Sequence, residues 1–69
     1  MSRLKILGEN IKKFREAMGY RQVDLAVALN FSEEYVCRIE RGQKYISLRK
    51  LFQLADELGV KISQLTNFD

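Results

Sequence analysis

QVDLAVALNFSEEYVCRIER, running from Gln22 to Arg41, reads as two short helices joined by a tight turn. Leu25, Ala26 and Leu29 fall at helical spacing and can face one core. Val36 and Ile39 do the same beyond the break. Ala26 is small where one helix must pass close to another. Asn30 stands at the turn, and Asn tolerates the left-handed backbone that stops a helix. Ser32 is a good N-cap for a new helix starting at Glu33.

Outward from this stretch, Leu4, Leu7, Ile11, Phe14 and Met18 repeat every three or four residues. They predict an amphipathic first helix, with Lys5, Glu9, Lys12, Lys13 and Glu16 largely on its other face and Gly19 at its end. On the other side, Gly42 reads as the stop of the third helix. Ser47 caps a fourth, with Leu48, Leu51, Phe52, Ala55 and Leu58 as its buried stripe and Gly59 as its end. Val60, Ile62, Leu65 and Phe68 predict a last short helix or turn. No strand-like alternation persists, and Pro is absent. The expected fold is all-α, a compact bundle of about five short helices.

The chain has 69 residues, which sets the expectation of one domain spanning 1–69. So short a chain buries a limited core, and pairing with a second copy would add to its stability. Taken as complete, it would carry no ligand-sensing or cleavable domain. With no His and one Cys, Cys37, it lacks the means for a zinc cluster, a His-based acid–base pair or a disulfide framework. Neither a metal nor a cofactor is expected, nor an enzyme, because no nucleophile–base pair is at hand. No apolar run approaches a membrane span, and the start is too charged for a secretory signal. The expected compartment is the cytoplasm.

Net charge is +3, and its distribution says more than its size. Residues 1–21 carry +4, residues 22–37 carry −3, residues 38–50 carry +4 and residues 51–69 carry −2. Positive charge brackets the central stretch, which suits a polyanion on one face. Two helices crossed by a short turn form a helix-turn-helix unit, whose second helix can lie in a DNA major groove.

Gln22, Ala26, the turn at Asn30, Val36, Arg38-Ile39-Glu40-Arg41-Gly42 and the later SLRKLFQLADELGV together resemble the Cro and lambda-repressor type of helix-turn-helix family, also called XRE-like. The resemblance runs from about Leu7 to about Leu65. Three places depart from the pattern. Arg21 stands where a capping Ser or Thr is common, Asn30 replaces a frequent Gly, and Tyr45-Ile46 replaces Asn-Pro. Arg21 leaves the second helix with a weak start.

The resemblance implies a lambda-repressor-like domain with its helix-turn-helix at helices 2–3, and a set of roles. Gln22 bonds a DNA phosphate and braces the recognition helix. Glu33, Glu34 and Arg38 contact bases, with Ser32 and Tyr35 near the backbone or a thymine methyl. The Arg38 fork matches the O6 and N7 acceptors of guanine, although a surface ion pair with Glu34, four residues back, would also account for it. Either glutamate can serve the positive end of the helix dipole or accept from cytosine N4; which one does which is open. Arg15 is expected to form a salt bridge with Glu40, tying the first helix to the third. Arg21, Arg41, Lys44, Tyr45 and Lys13 can grip phosphates, or simply keep the surface soluble. Cys37 reads as a small, partly buried side chain.

The leading expectation is a sequence-specific regulator of transcription that binds double-stranded DNA as a homodimer on a near-palindromic operator. Its dimer contact is expected at Ile62, Leu65 and Phe68, with Ile46 as an addition. Among prophage repressors, restriction–modification controllers and antitoxins, the small size resembles the controllers most. The other reading is a helical protein-interaction module or antitoxin on the same fold, using Val23 and Val27 as its contact.

Overall fold

The computed structural model describes residues 2–68 and contains five helices and, among those residues, no strand. They are α1 (Arg3–Ala17), α2 (Gln22–Leu29), α3 (Glu33–Glu40), α4 (Leu48–Leu58) and α5 (Ile62–Leu65). Met1 and Asp69, the two ends of the expected 1–69 span, lie outside the described residues.

Local chemistry sets the boundaries. Ser2, Ser32 and Ser47 each accept a backbone N–H from three residues on, at 3.2, 3.0 and 3.2 Å. Each satisfies a donor that the first turn of a helix leaves unpaired. Asn30 takes the left-handed conformation at φ 58°, which ends α2 and turns the chain into α3 within three residues. Arg21 offers no cap oxygen, yet α2 starts cleanly. Asp24 supplies the cap from inside the helix: its carboxylate accepts the Arg21 N–H at 2.8 Å and binds the Arg21 guanidinium at 2.9 and 3.0 Å. The weak start expected for α2 is thereby corrected.

The Arg21 guanidinium, and then the Arg21 N–H, hold the Asp24 carboxyl down from the usual 3.8 to about 2. A depressed folded-state pKa contributes stability above the unfolded value, lost as pH falls through the folded one. The start of α2 should therefore loosen between pH 3.8 and about 2. Asp24→Asn should show a shallower loss of helical circular dichroism over that interval. A profile identical to the parent's would contradict this cap.

The core is built from Leu7, Ile11, Leu25, Ala26, Val36, Ile39, Leu51, Leu54, Ala55, Leu58 and Leu65. Helix α2 packs on α3 and α4, α1 on α3, α4 and α5, and α4 on α5. Gly8 lets α1 approach the end of α3. A Cβ there would lie 2.5 Å from the carbonyl oxygens of Ile39 and Glu40.

Two features of the expected core are corrected. Met18 caps the end of α1 and is exposed. In α4 the buried stripe is Leu51, Leu54, Ala55 and Leu58, while Leu48 and Phe52 stand 64% and 50% exposed. Six of the eleven α4 residues are apolar, so spacing alone leaves the centre of the buried face open. Packing against α2 and α1 selects the sector containing Leu54.

Leu65 is also corrected as a dimer contact: it is 0% exposed. Helix α5 folds back on α1 and α4, and the Asn10 amide donates to the Leu65 carbonyl at 2.9 Å and to that of Asn67 at 3.1 Å. That clamp turns Leu65 into the core. Ile46, Ile62 and Phe68 are half-buried and pack against the same core.

Candidate nucleic-acid interface

One carboxylate organises the helix-turn-helix. Glu40, at the end of α3, is buried and accepts from Arg15 Nε at 2.6 Å and Arg15 Nη2 at 3.2 Å. The third guanidinium nitrogen, Nη1, donates to the Tyr20 carbonyl at 2.7 Å. The hydrogen bond with Glu40 raises the Arg15 pKa against the opposing effect of burial, so the guanidinium stays charged. Gln22 adds a fourth link, its amide nitrogen donating to Glu40 Oε1 at 3.0 Å. A carboxylate can only accept, so this assigns the Gln22 nitrogen inward. The Gln22 amide thus braces α3 from α2.

Helix α3 buries Val36, Ile39 and Glu40 and turns Glu33, Glu34 and Arg38 outward. The two acids occupy its first turn, where the positive end of the helix dipole favours them. Arg38 is 51% exposed along its side chain and lies 3.6 Å from Glu34. The surface ion pair weighed against base reading is therefore present in the free chain, and it leaves Arg38 accessible. Ser32 spends its oxygen on the helix cap. Tyr35 is half-buried and meets Phe31 edge-to-face, centroids 5.3 Å apart at 84°.

Beside α3 runs an open groove of about 860 Å³. Glu34, Tyr35 and Arg38 of α3 line it together with Lys44 and with Arg49 and Lys50 of α4. The Lys50 ammonium sits 4.6 Å from the Tyr35 ring centroid and 5.7 Å from that of Phe31. Cation–π attraction thus draws positive charge from α4 onto the start of α3. Four basic residues converge here, against one acid already paired with Arg38.

The remaining expected contacts divide. Lys44 lines the groove, and Tyr45 beside it is exposed. Arg21 is exposed at the start of α2, its charge shared with Asp24. Arg41 is not brought to the groove; it lines a separate cleft with Lys5, Glu9 and Gln43. Lys13 packs over Phe14 on α1, 5.4 Å from the ring centroid. Val27 is exposed and Val23 half-buried. Sequence reasoning missed Arg49 and Lys50. The available signal is their place just after the Ser47 cap in the second +4 segment.

Residues 11–65 match the family model described as Helix-turn-helix. The chain is 31% identical over 65 residues to an uncharacterized HTH-type transcriptional regulator, y4dJ, of Sinorhizobium fredii, covering 94% of this chain and 84% of that one. In structure it is similar to the restriction-modification controller protein C.AhdI from Aeromonas hydrophila, with TM-score 0.85, 32% identity, and 90% and 94% of the two chains covered. It is also similar to the clp gene regulator ClgR from C. glutamicum, with TM-score 0.91, 27% identity, and 96% and 85% covered. No helix among the described residues is long and apolar enough to cross a membrane. From the braced α2–α3 pair to these likenesses, the chain belongs to the helix-turn-helix family, a family of DNA-binding transcriptional regulators rather than enzymes.

Proposed function

We propose that this protein is a sequence-specific double-stranded DNA-binding regulator of transcription that acts as a homodimer on a near-palindromic operator. The observation that carries the reading is the exposed outer face of α3, with Arg38 aimed outward at a groove that Lys44, Arg49 and Lys50 also line. The outer face of α3 enters the major groove, and Arg38 reads guanine. Lys44, Arg49 and Lys50 take backbone phosphates, joined by Arg21 and Tyr45 at the margins. The likeness to a restriction-modification controller supports a controller-type role. The test is retention of a duplex selected from a randomised pool, measured over a salt series. Specific retention should fall steeply with salt. Arg38→Ala should weaken it by roughly tenfold or more, consistent with ~1–3 kcal/mol for a bidentate base contact. Equal, salt-insensitive retention of all duplexes would overturn the reading.

The dimer contact is centred on the outer face of α4. Leu48 and Phe52 lie one turn apart there, exposed and apolar, with Tyr45 nearby in sequence. Ile46, Ile62 and Phe68 keep part-exposed edges that a second copy can extend over. Two such copies would set their α3 helices into successive major grooves, about 34 Å apart. Phe52→Glu should sediment as a monomer where the parent sediments as a dimer. A variant that stays dimeric would remove this interface.

A further inference from the structure

We infer that Glu34 is a positioning residue that narrows the bases Arg38 accepts, an inference that rests on the DNA-reading proposal above. The two acids at the start of α3 are not equivalent. Glu34 meets Arg38 one helical turn on, Oε1 to Nε at 3.6 Å, whereas Glu33 makes no ion pair among the described residues.

The atom involved decides the consequence. A guanidinium has a side edge that includes Nε and an end edge formed by its two Nη groups. The shortest separation from Glu34 is to Nε, at 3.6 Å, and neither Nη group hydrogen-bonds to it. The end edge is the one that matches guanine O6 and N7 end-on. Glu34 thus attracts the fork from beside Nε without hydrogen-bonding to the part that reads.

In the free chain both groups are largely exposed, with side-chain exposures of 77% for Glu34 and 51% for Arg38, so water weakens the pair. Inside a DNA groove water is thinned out and the attraction grows. A tethered fork loses less freedom on meeting its base. The tether also penalises wrong bases. Without Glu34, Arg38 facing adenine could swing aside to a phosphate. With Glu34 present, that swing would strand a carboxylate near the phosphate-lined groove. Discrimination then comes from disfavouring the wrong partner as well as favouring the right one.

The experiment uses the full chain and the selected duplex, with the base pair read by Arg38 replaced in turn by the other three. Glu34→Gln should bind all duplexes somewhat more tightly, having lost a negative charge. Its preference for the original pair should fall by roughly tenfold, a large share of what one bidentate contact supplies. In an Arg38→Ala background, the same change should leave the preference at that pair unaltered. Glu33→Gln should raise affinity without altering preference at the Arg38 pair. The inference is overturned if Glu34→Gln raises affinity equally for all four duplexes. A parent protein with no preferred duplex overturns this inference and the DNA-reading proposal together. Loss of preference at the Arg38 pair in Glu34→Gln, with none in Glu33→Gln, is the readout that a purely helix-stabilising Glu34 would not give.

Discussion

Glu40→Ala is expected to remove most of the protein's stability. The change deletes the acceptor for two guanidinium nitrogens of Arg15 and for the Gln22 amide. Arg15 itself is buried and stays charged. Removing one partner of a buried pair costs about 3–5 kcal/mol, because the survivor keeps its desolvation without its attraction. Small domains have total margins of roughly 5 kcal/mol. Urea unfolding followed by helical circular dichroism should show the parent transition shifted to little or no denaturant. The double variant Arg15→Met with Glu40→Leu should recover much of the loss, since apolar side chains remove the unmatched charge. A Glu40→Ala cost under about 1 kcal/mol would contradict the account, because that is the cost of breaking an exposed pair. The carboxylate joins α1, α2 and α3, so its loss also unties the recognition helix from its support.

Gly8→Val is the second large effect. A Cβ at this position meets the backbone at the end of α3: the Ile39 and Glu40 oxygens at 2.5 Å and the Glu40 carbonyl carbon at 2.8 Å. Backbone cannot step aside alone, so α1 must separate from the end of α3. Overpacking of this kind costs about 1–3 kcal/mol and sometimes more, and a branched side chain lies at the upper end. Gly8→Ala is the sharper check of sign. In an exposed helix interior that change gains about 1 kcal/mol from propensity. Here the clash should outweigh the gain, and the thermal midpoint should fall. A higher midpoint for Gly8→Ala would show that the two helices are not in close contact. Because the contact lies at the end of α3, Gly8→Ala should also weaken duplex binding.

Features carried by one or two neighbouring residues were legible in the sequence. Asn30, Ser32, Gly42, Ser47 and Gly59 act through local backbone chemistry, and all five mark helix ends where expected. The outward position of Arg38 followed from the apolar spacing of Val36 and Ile39 on the opposite face of α3. Features decided by distant packing were not legible. The α4 wheel is apolar over too wide an arc to reveal that Phe52 faces out and Leu54 faces in. Leu65 looked available to a partner because nothing nearby announces the Asn10 clamp, 55 residues away in sequence. Gly8 stands in mid-helix, a sign of close approach, but the sequence does not say which backbone comes near. Arg15–Glu40 came through resemblance to the family, since no spacing rule pairs residues 25 apart. The groove was half legible. Its α3 wall was expected, while Arg49 and Lys50 on α4 acquire meaning only when Lys50 is seen over Tyr35.

The central claim is that α3 presents Arg38 to guanine in the major groove. Methylation of guanine N7 in the selected duplex tests it most directly, because it removes one acceptor and places a methyl group where the fork must land. The parent protein should show one guanine in each half-site whose methylation blocks binding. Arg38→Ala should bind weakly and become indifferent to methylation at that guanine while keeping any other interference. An unchanged interference pattern in Arg38→Ala would contradict the claim.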